Sequence, residues 1–231
     1  MNVAIIVAAG SGTRFGSIVP KQFHEILGKP LLIHTLERFE FCAAIDEIVL
    51  VLSAEEIENF RDIAEKYKLK KLSAIASGGK TRAASVLNGL NSIASESPEI
   101  VAVHDGARPL VTIEEIAKTI ETARDAGAAC LVAPVTDTIK EVSGGKIVGT
   151  IDRTKLRRAL TPQCFRYEIL KRAFTSANAI GETVTDECLL VEKLGYEICV
   201  VEGSAKNVKV TTPEDFILAE SLLRHLEIEN V

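Results

Sequence analysis

Residues 2–22 constrain the fold of this chain more than any other stretch. Asn2-Val3-Ala4-Ile5-Ile6-Val7 is a short apolar run, partly β-branched, of the kind that is buried on both faces of a parallel sheet. It passes without a break into Ala8-Ala9-Gly10-Ser11-Gly12-Thr13-Arg14-Phe15-Gly16, and Pro20-Lys21-Gln22 closes the loop. Small residues let a backbone approach a ligand closely, and Arg14 and Lys21 put two positive charges into the same loop. The combination predicts a phosphate-binding loop at the carboxyl end of the first strand, the edge of an open α/β sheet where ligands sit. Spacing excludes the two common versions of such a loop. A Walker loop ends in Gly-Lys-Ser/Thr, whereas Ser17 follows Gly16 here. The dinucleotide fingerprint is G-x-G-x-x-G, and Gly10, Gly12 and Gly16 are one residue too widely spaced.

Strand and helix patterns then alternate. Apolar runs at Glu47–Leu52, Leu72–Ala76, Ile100–His104 and Ala128–Val132 read as buried strands. Between them Pro30–Phe39, Ala54–Tyr67, Thr81–Ile93 and Thr112–Ala126 read as helices, the last opened by a Thr112/Glu115 capping box. This is the order of an α/β, doubly wound, mostly parallel Rossmann-like sheet. The alternation breaks at Thr136–Val142 and Lys146–Ile151, two polar/apolar alternating segments around Ser143-Gly144-Gly145 that predict a β-hairpin. Since a lone hairpin is marginal in water, it is expected to lie against another surface. Helices follow at Arg166–Ala177 and Thr185–Leu194, strands at Tyr196–Val201 and Val208–Val210, and a last helix from Pro213 to about Leu226 behind a Thr212 cap. Residues 1–231 read as one domain.

The net charge of -5 argues against a general nucleic-acid partner, so local positive charge is expected to serve a small anion. Five scattered cysteines without C-x-x-C spacing suit a reducing compartment, and no apolar run approaches the ~18 residues of a membrane span. Met1 leads straight into the first strand with no basic and apolar leader. The expectation is a cytoplasmic protein with no membrane partner.

Three further segments carry candidate chemistry. Gly78-Gly79-Lys80-Thr81-Arg82 is a second glycine loop opening a helix, whose amides suit an anion or the edge of a base; a turn with Thr81 as N-cap explains the same residues. His104-Asp105-Gly106-Ala107-Arg108-Pro109 ends a strand, with Asp105 placed for a divalent cation and Arg108 for a phosphate or for that carboxylate. His104, inside the apolar run, reads as a hydrogen-bonded core histidine. Arg153, Leu160-Thr161-Pro162-Gln163, Thr183-Val184-Thr185-Asp186-Glu187 and Asn207-Val208-Lys209-Val210-Thr211 are weak singly, with Thr185 a plausible N-cap and Lys209 aimed from an expected strand at the sheet edge.

Taken in order, these motifs, together with P-V-T-D-T-I-K, I-D-R and N-V-K-V-T-x-P-E-D, resemble the 2-C-methyl-D-erythritol 4-phosphate cytidylyltransferase family over essentially the whole chain. The resemblance implies a nucleotidyltransferase-type sheet and an enzyme of non-mevalonate isoprenoid synthesis. CTP and methylerythritol phosphate would give CDP-methylerythritol and pyrophosphate, with Mg2+ as cofactor. It also implies a homodimer formed through the hairpin arm at about residues 134–152. Carried over by motif, Arg14, Lys21 and Lys209 are catalytic; Ala8, Ala9, Gly10, Gly12, Gly79 and Ser85 hold the nucleotide; and Asp105 holds the metal. Arg108, Arg153, Thr161 and Thr185, with Thr138 from the partner's arm, hold the acceptor. One departure is visible: the family usually has an acid just before its Asn-x-Lys segment, where this chain has Ser204-Ala205-Lys206. Ribitol-5-phosphate cytidylyltransferases share these nucleotide loops and are the alternative acceptor class. A CTP sensor without activity is the alternative of another class, disfavoured because a sensor has no use for groups aimed at a transition state.

Overall fold

The computed structural model of the chain describes residues 1–10, 15–16, 19–95, 98–176 and 184–229. The elements run β1 (Asn2–Val7), a short β2/β3 pair (Glu25–Ile26, Lys29–Pro30), α1 (Leu31–Glu40), β4 (Glu47–Leu52), α2 (Ile57–Lys66), β5 (Leu72–Ser77), α3 (Arg82–Asn91), β6 (Ile100–Asp105), α4 (Ile113–Ala126) and β7 (Ala128–Pro134). They continue with β8 (Ile139–Ser143), β9 (Lys146–Ile151), β10 (Arg157–Arg166), α5 (Tyr167–Thr175), α6 (Glu187–Lys193), β11 (Cys199–Glu202) and α7 (Pro213–Glu229). Among the described residues seven strands form one sheet in the order β11-β7-β10-β6-β1-β4-β5. All neighbours in it are parallel except β10, which runs against both β6 and β7.

The centre of the sheet is covered on both faces, which is why β1, β4 and β6 are nearly continuous apolar runs. Ala4 and Ile6 of β1 pack on one side with Leu36, Phe39, Phe60, Ile116 and Ile120 from α1, α2 and α4. Val3 and Ile5 face the other side, where Val86, Leu90, Leu170 and Leu190 from α3, α5 and α6 meet them. A smaller core seats α7 through Ala219 and Leu223 on Ile26, Leu31, Leu110 and Val210. Local signals set the helix ends: Thr112 and Glu115 make the expected capping box on α4, and Gly127 ends that helix at φ +97.

The chain order places the site. After β1 the chain builds β4 and β5 on one side, then crosses to β6 on the other, so the crevice lies where strand order reverses. Val7 is in register with Val51 and Asp105, and the loops leave this edge tied to one another. Ala8 N donates to Val51 O at 2.8 Å, Gly106 N to Val7 O at 2.8 Å and Gly78 N to Leu52 O at 2.7 Å.

Three expectations need correction. β10 was not anticipated, because Pro162 argues against a central strand; the register breaks between Ala159 and Gln163 and seats the proline where no ladder donor is needed. Residues 208–210 are not a strand. They cross over the β6–α4 connection, held there by Val210 N on Ala107 O at 2.8 Å, after a tight turn at Lys206–Val208. The cap of α6 is Asp186, whose carboxylate accepts from Leu189 N, and not Thr185. The hairpin is present as β8 and β9, yet Val142, Ile147 and Val148 are 61%, 66% and 59% exposed, so within one chain it lies against nothing that covers them.

Candidate active site

A cleft of about 520 Å³ opens at the carboxyl edge of β1, β4 and β6. One wall is the first loop at Ala8, Ala9 and Gly10; the opposite wall is the second loop at Gly79 to Arg82 with Ser85. The two loops touch. A Cβ on Gly78 would come within 2.3 Å of the Ala9 Cβ, so only glycine allows this approach. Gly78→Ala is therefore expected to push the loops apart at a cost of about 1–3 kcal/mol, seen as a lower urea unfolding midpoint. An unchanged midpoint would mean that Ala9 moves aside freely.

Each wall is pinned from behind. Gln22, buried, donates through Nε2 to Ala8 O at 3.0 Å, which explains how Pro20-Lys21-Gln22 closes the first loop. Lys21, fixed by this neighbour, lines the cleft and donates to Val210 O at 2.7 Å. In the second loop Ser85 Oγ accepts from Gly79 N and donates to Thr81 O, both at 3.0 Å, while Thr81 Oγ1 accepts from Ala84 N and caps α3. Both readings of this loop thus hold together: it is a capped helix start, and it forms a wall.

Asp105 is the focus. Arg82 Nε lies 3.1 Å from Oδ1, while Lys209 Nζ at 2.9 Å and Arg108 Nε at 3.3 Å share Oδ2. Burial alone would raise the Asp105 pKa, but the three cations, Arg82 foremost, hold the carboxyl well below the usual range. Its backbone is fixed as well. Asp105 N donates to Thr161 Oγ1 at 3.1 Å, Thr161 Oγ1 sits 2.9 Å from His104 Nδ1, and His104 Nε2 is 3.2 Å from Arg108 O. A carbonyl only accepts, so Nε2 carries the ring proton and Nδ1 takes the Thr161 hydroxyl proton. Burial lowers the His104 pKa to about 3, which leaves the ring neutral and confirms it as a core histidine.

Arg82 has a second anion. Both oxygens of Glu187 hold its Nη1, at 2.6 and 2.8 Å, and Glu187 is fully buried. Neither Arg82 nor Glu187 was singled out from the sequence, though each stands inside a quoted motif. The missing signal is pairing across residues 82 and 187, which only the fold supplies.

The other candidates are distributed as follows. Ala8, Ala9, Gly10, Lys21, Gly79, Ser85, Asp105 and Lys209 come together in the cleft. Arg108 lies beside it, 12% exposed, bonded to Asp105 and to Asn207 O at 2.9 Å. Thr161 is buried behind Asp105 with its hydroxyl already committed. Thr138, Arg153 and Thr185 are exposed; Arg153 donates to Thr136 O at the base of the hairpin. The assignments at Gly12 and Arg14 lie outside the described residues. At the departure before Asn207, Ser204 N donates to Glu115 Oε1 at 2.5 Å and Lys206 is exposed. The described residues contain no group of three or more His, Cys, Asp or Glu side chains able to hold a metal alone.

Among the described cleft residues, dense positive charge, one hard carboxylate and no nucleophile–base pair suit a reaction between phosphate groups, where positioning and charge neutralisation carry catalysis. The family model described as IspD, 2-C-methyl-D-erythritol 4-phosphate cytidylyltransferase, matches residues 2–225. A 2-C-methyl-D-erythritol 4-phosphate cytidylyltransferase of Bacillus velezensis is 44% identical over 223 residues, 96% of this chain and 95% of that one. One of Syntrophus aciditrophicus is 44% identical over 97% of each chain. The crystal structure of 4-diphosphocytidyl-2C-methyl-D-erythritol synthase from Anaerococcus prevotii superposes with a TM-score of 0.84 at 32% identity, covering 96% of both chains.

Proposed function

The chain belongs to the 2-C-methyl-D-erythritol 4-phosphate cytidylyltransferase family, and from that membership we propose how its own residues join CTP to methylerythritol phosphate with release of pyrophosphate. The observation that carries the assignment of roles is Asp105, set at the switch point of the sheet with three cations within 3.3 Å and a glycine loop on either side.

The cytosine and ribose fit between the small-residue walls at Ala8 to Gly10 and at Gly79, with Gly12 assigned to the nucleotide from its motif alone; Ser85 keeps the second wall in place. Lys21 faces the triphosphate and neutralises the charge that builds on the α-phosphate during in-line attack, a role that Arg14 shares by its motif. The attacking group is an anionic phosphate oxygen of the acceptor and needs no general base, in keeping with a neutral, buried His104. Lys209 stands beside the phosphates, Arg108 borders the acceptor side, Thr161 steadies Asp105 from behind, and Arg153 and Thr185 lie further out for the acceptor's phosphate and hydroxyls.

Asp105 is suited to Mg2+, an ion bound through one or two carboxylates with substrate phosphates completing its shell. When bound, that ion supplies charge neutralisation across the phosphates. The chain's contribution is one oriented carboxylate, since Ser204 and Lys206 occupy the place of the family's second acid.

The hairpin β8/β9 is assigned to a second copy of the chain. Its exposed Val142, Ile147 and Val148 support a homodimer, in which Thr138 at its base reaches the other copy's acceptor site. Replacing Val142, Ile147 and Val148 together by serine is expected to give a folded monomer by sedimentation, with turnover reduced by at least about tenfold through loss of acceptor contacts. A triple variant that stays dimeric and fully active would remove this role of the arm. A cytoplasmic setting accords with the four buried free cysteines, and no helix among the described residues is long and apolar enough to cross a membrane.

Pyrophosphate release from CTP with Mg2+ tests the whole reading, with methylerythritol 4-phosphate and ribitol 5-phosphate offered separately. Release with the first and little with the second is expected. Release only with ribitol phosphate would move the acceptor assignment, and CTP binding without release would remove the catalytic one.

A further inference from the structure

Glu187 has no part in the roles assigned so far, yet it is a fully buried carboxylate with an elaborate mounting. Its own N–H and that of Cys188 both donate to Gln163 Oε1 at 3.1 Å, and Gln163 Nε2 donates to Asp186 at 2.9 Å. Both Glu187 oxygens hold Arg82 Nη1, and the Nε of the same guanidinium meets Asp105 Oδ1 at 3.1 Å. Stability does not explain the arrangement, because a buried ion pair is often no better than a well-packed apolar pair. Geometry does. An arginine facing a single carboxylate prefers to grip both oxygens with its planar fork. Arg82 does not do so at Asp105: only its Nε meets a single oxygen there, while Glu187 anchors the same guanidinium through Nη1 and so fixes how it faces that carboxylate.

We infer that Glu187 is a positioning residue which, by restraining Arg82, keeps the Asp105 carboxylate presented to the cleft for a cation–triphosphate complex. This rests on the proposed metal role of Asp105. Without that anchor, Arg82 is free to turn its Nε and Nη2 edge onto both Asp105 oxygens and competes for the oxygens that a divalent cation requires.

The test uses the full-length protein and reads the Mg2+ dependence of CTP affinity by calorimetry, alongside kcat and the melting temperature. Glu187→Gln is expected to weaken the apparent Mg2+ affinity by on the order of 10–100-fold, the usual range for a residue supporting a metal ligand, with CTP affinity in the absence of metal little changed. Removing the competitor should then restore part of the loss, so E187Q/R82A is expected to bind Mg2+–CTP more tightly than E187Q. A merely structural role predicts the reverse, a double variant as poor as E187Q or worse. Glu187→Asp keeps the charge but shortens the reach, and is expected to show a smaller loss in the same direction; it serves if E187Q does not fold. An Mg2+ dependence within about twofold of wild type in a folded Glu187 variant, or no recovery on removing Arg82, overturns the inference. Wild-type protein that binds CTP without any Mg2+ dependence would instead remove the metal role of Asp105 on which the inference rests.

Discussion

Asp105→Asn is expected to lower kcat by about 10³-fold, roughly 4 kcal/mol of transition-state stabilisation. The carboxylate organises Arg82, Lys209 and Arg108 and is the one acid that the described cleft offers a divalent ion. Asparagine keeps the shape and an acceptor oxygen, so the loss isolates charge. The same substitution also leaves cations without their counter-charge. Breaking a buried ion pair costs about 3–5 kcal/mol, and the lower end, about 3 kcal/mol, is expected here. Arg82 keeps Glu187, Arg108 keeps Asn207 O, and Lys209, 39% exposed, turns to water. Steady-state pyrophosphate release and urea unfolding measure the two effects separately. A variant retaining a tenth of wild-type turnover would show that Asp105 does not carry the metal.

The pH dependence follows from the same cluster. The native Asp105 pKa is depressed, so its contribution to stability is complete above the unfolded value of about 4 and is lost only as pH falls toward the native value. Asp105 itself therefore gives stability no slope between about pH 5 and 8. His104 does give one: burial holds its native pKa at about 3 while the unfolded ring titrates near 6.5, so below about pH 7 the unfolded state takes up a proton that the native state does not, and stability falls as pH drops toward 5.

Much of this site was legible in residue order. The apolar strands of the sheet's centre, the glycine loop at residues 78–81 and the Thr112 capping box are local signals, and each formed where its residues indicated. The failures share one cause. β10 carries Pro162 in a register break, residues 208–210 lie across a loop instead of within a ladder, and Arg82 meets Glu187 across 105 positions. In each case a tertiary partner decides the outcome, and no local pattern encodes that partner. The placement of Thr161 shows the same limit: its motif marks it as polar and near the site, while only the β10–β6 pairing turns its hydroxyl to the Asp105 amide.

Lys21→Ala is expected to cut kcat by about 100-fold, near 3 kcal/mol, while CTP affinity falls by less than about tenfold. The asymmetry follows from where the side chain is held. Gln22 locks the adjoining backbone to Ala8 O, and Val210 O takes the ammonium at 2.7 Å, so Lys21 sits across the cleft before any ligand arrives. A neutral carbonyl is a weaker partner for an ammonium than a phosphate oxygen, and the exchange favours the phosphate most when its charge is greatest, in the transition state. Ground-state triphosphate retains Lys209 and the backbone of both loops, which limits the loss of affinity. Lys21→Arg should recover the charge and only part of the rate, because a planar fork cannot occupy the position of a compact ammonium. If the alanine variant instead raised KM with kcat unchanged, Lys21 would be binding ground and transition states equally, and the charge that assists phosphoryl transfer would have to come from elsewhere in the loop.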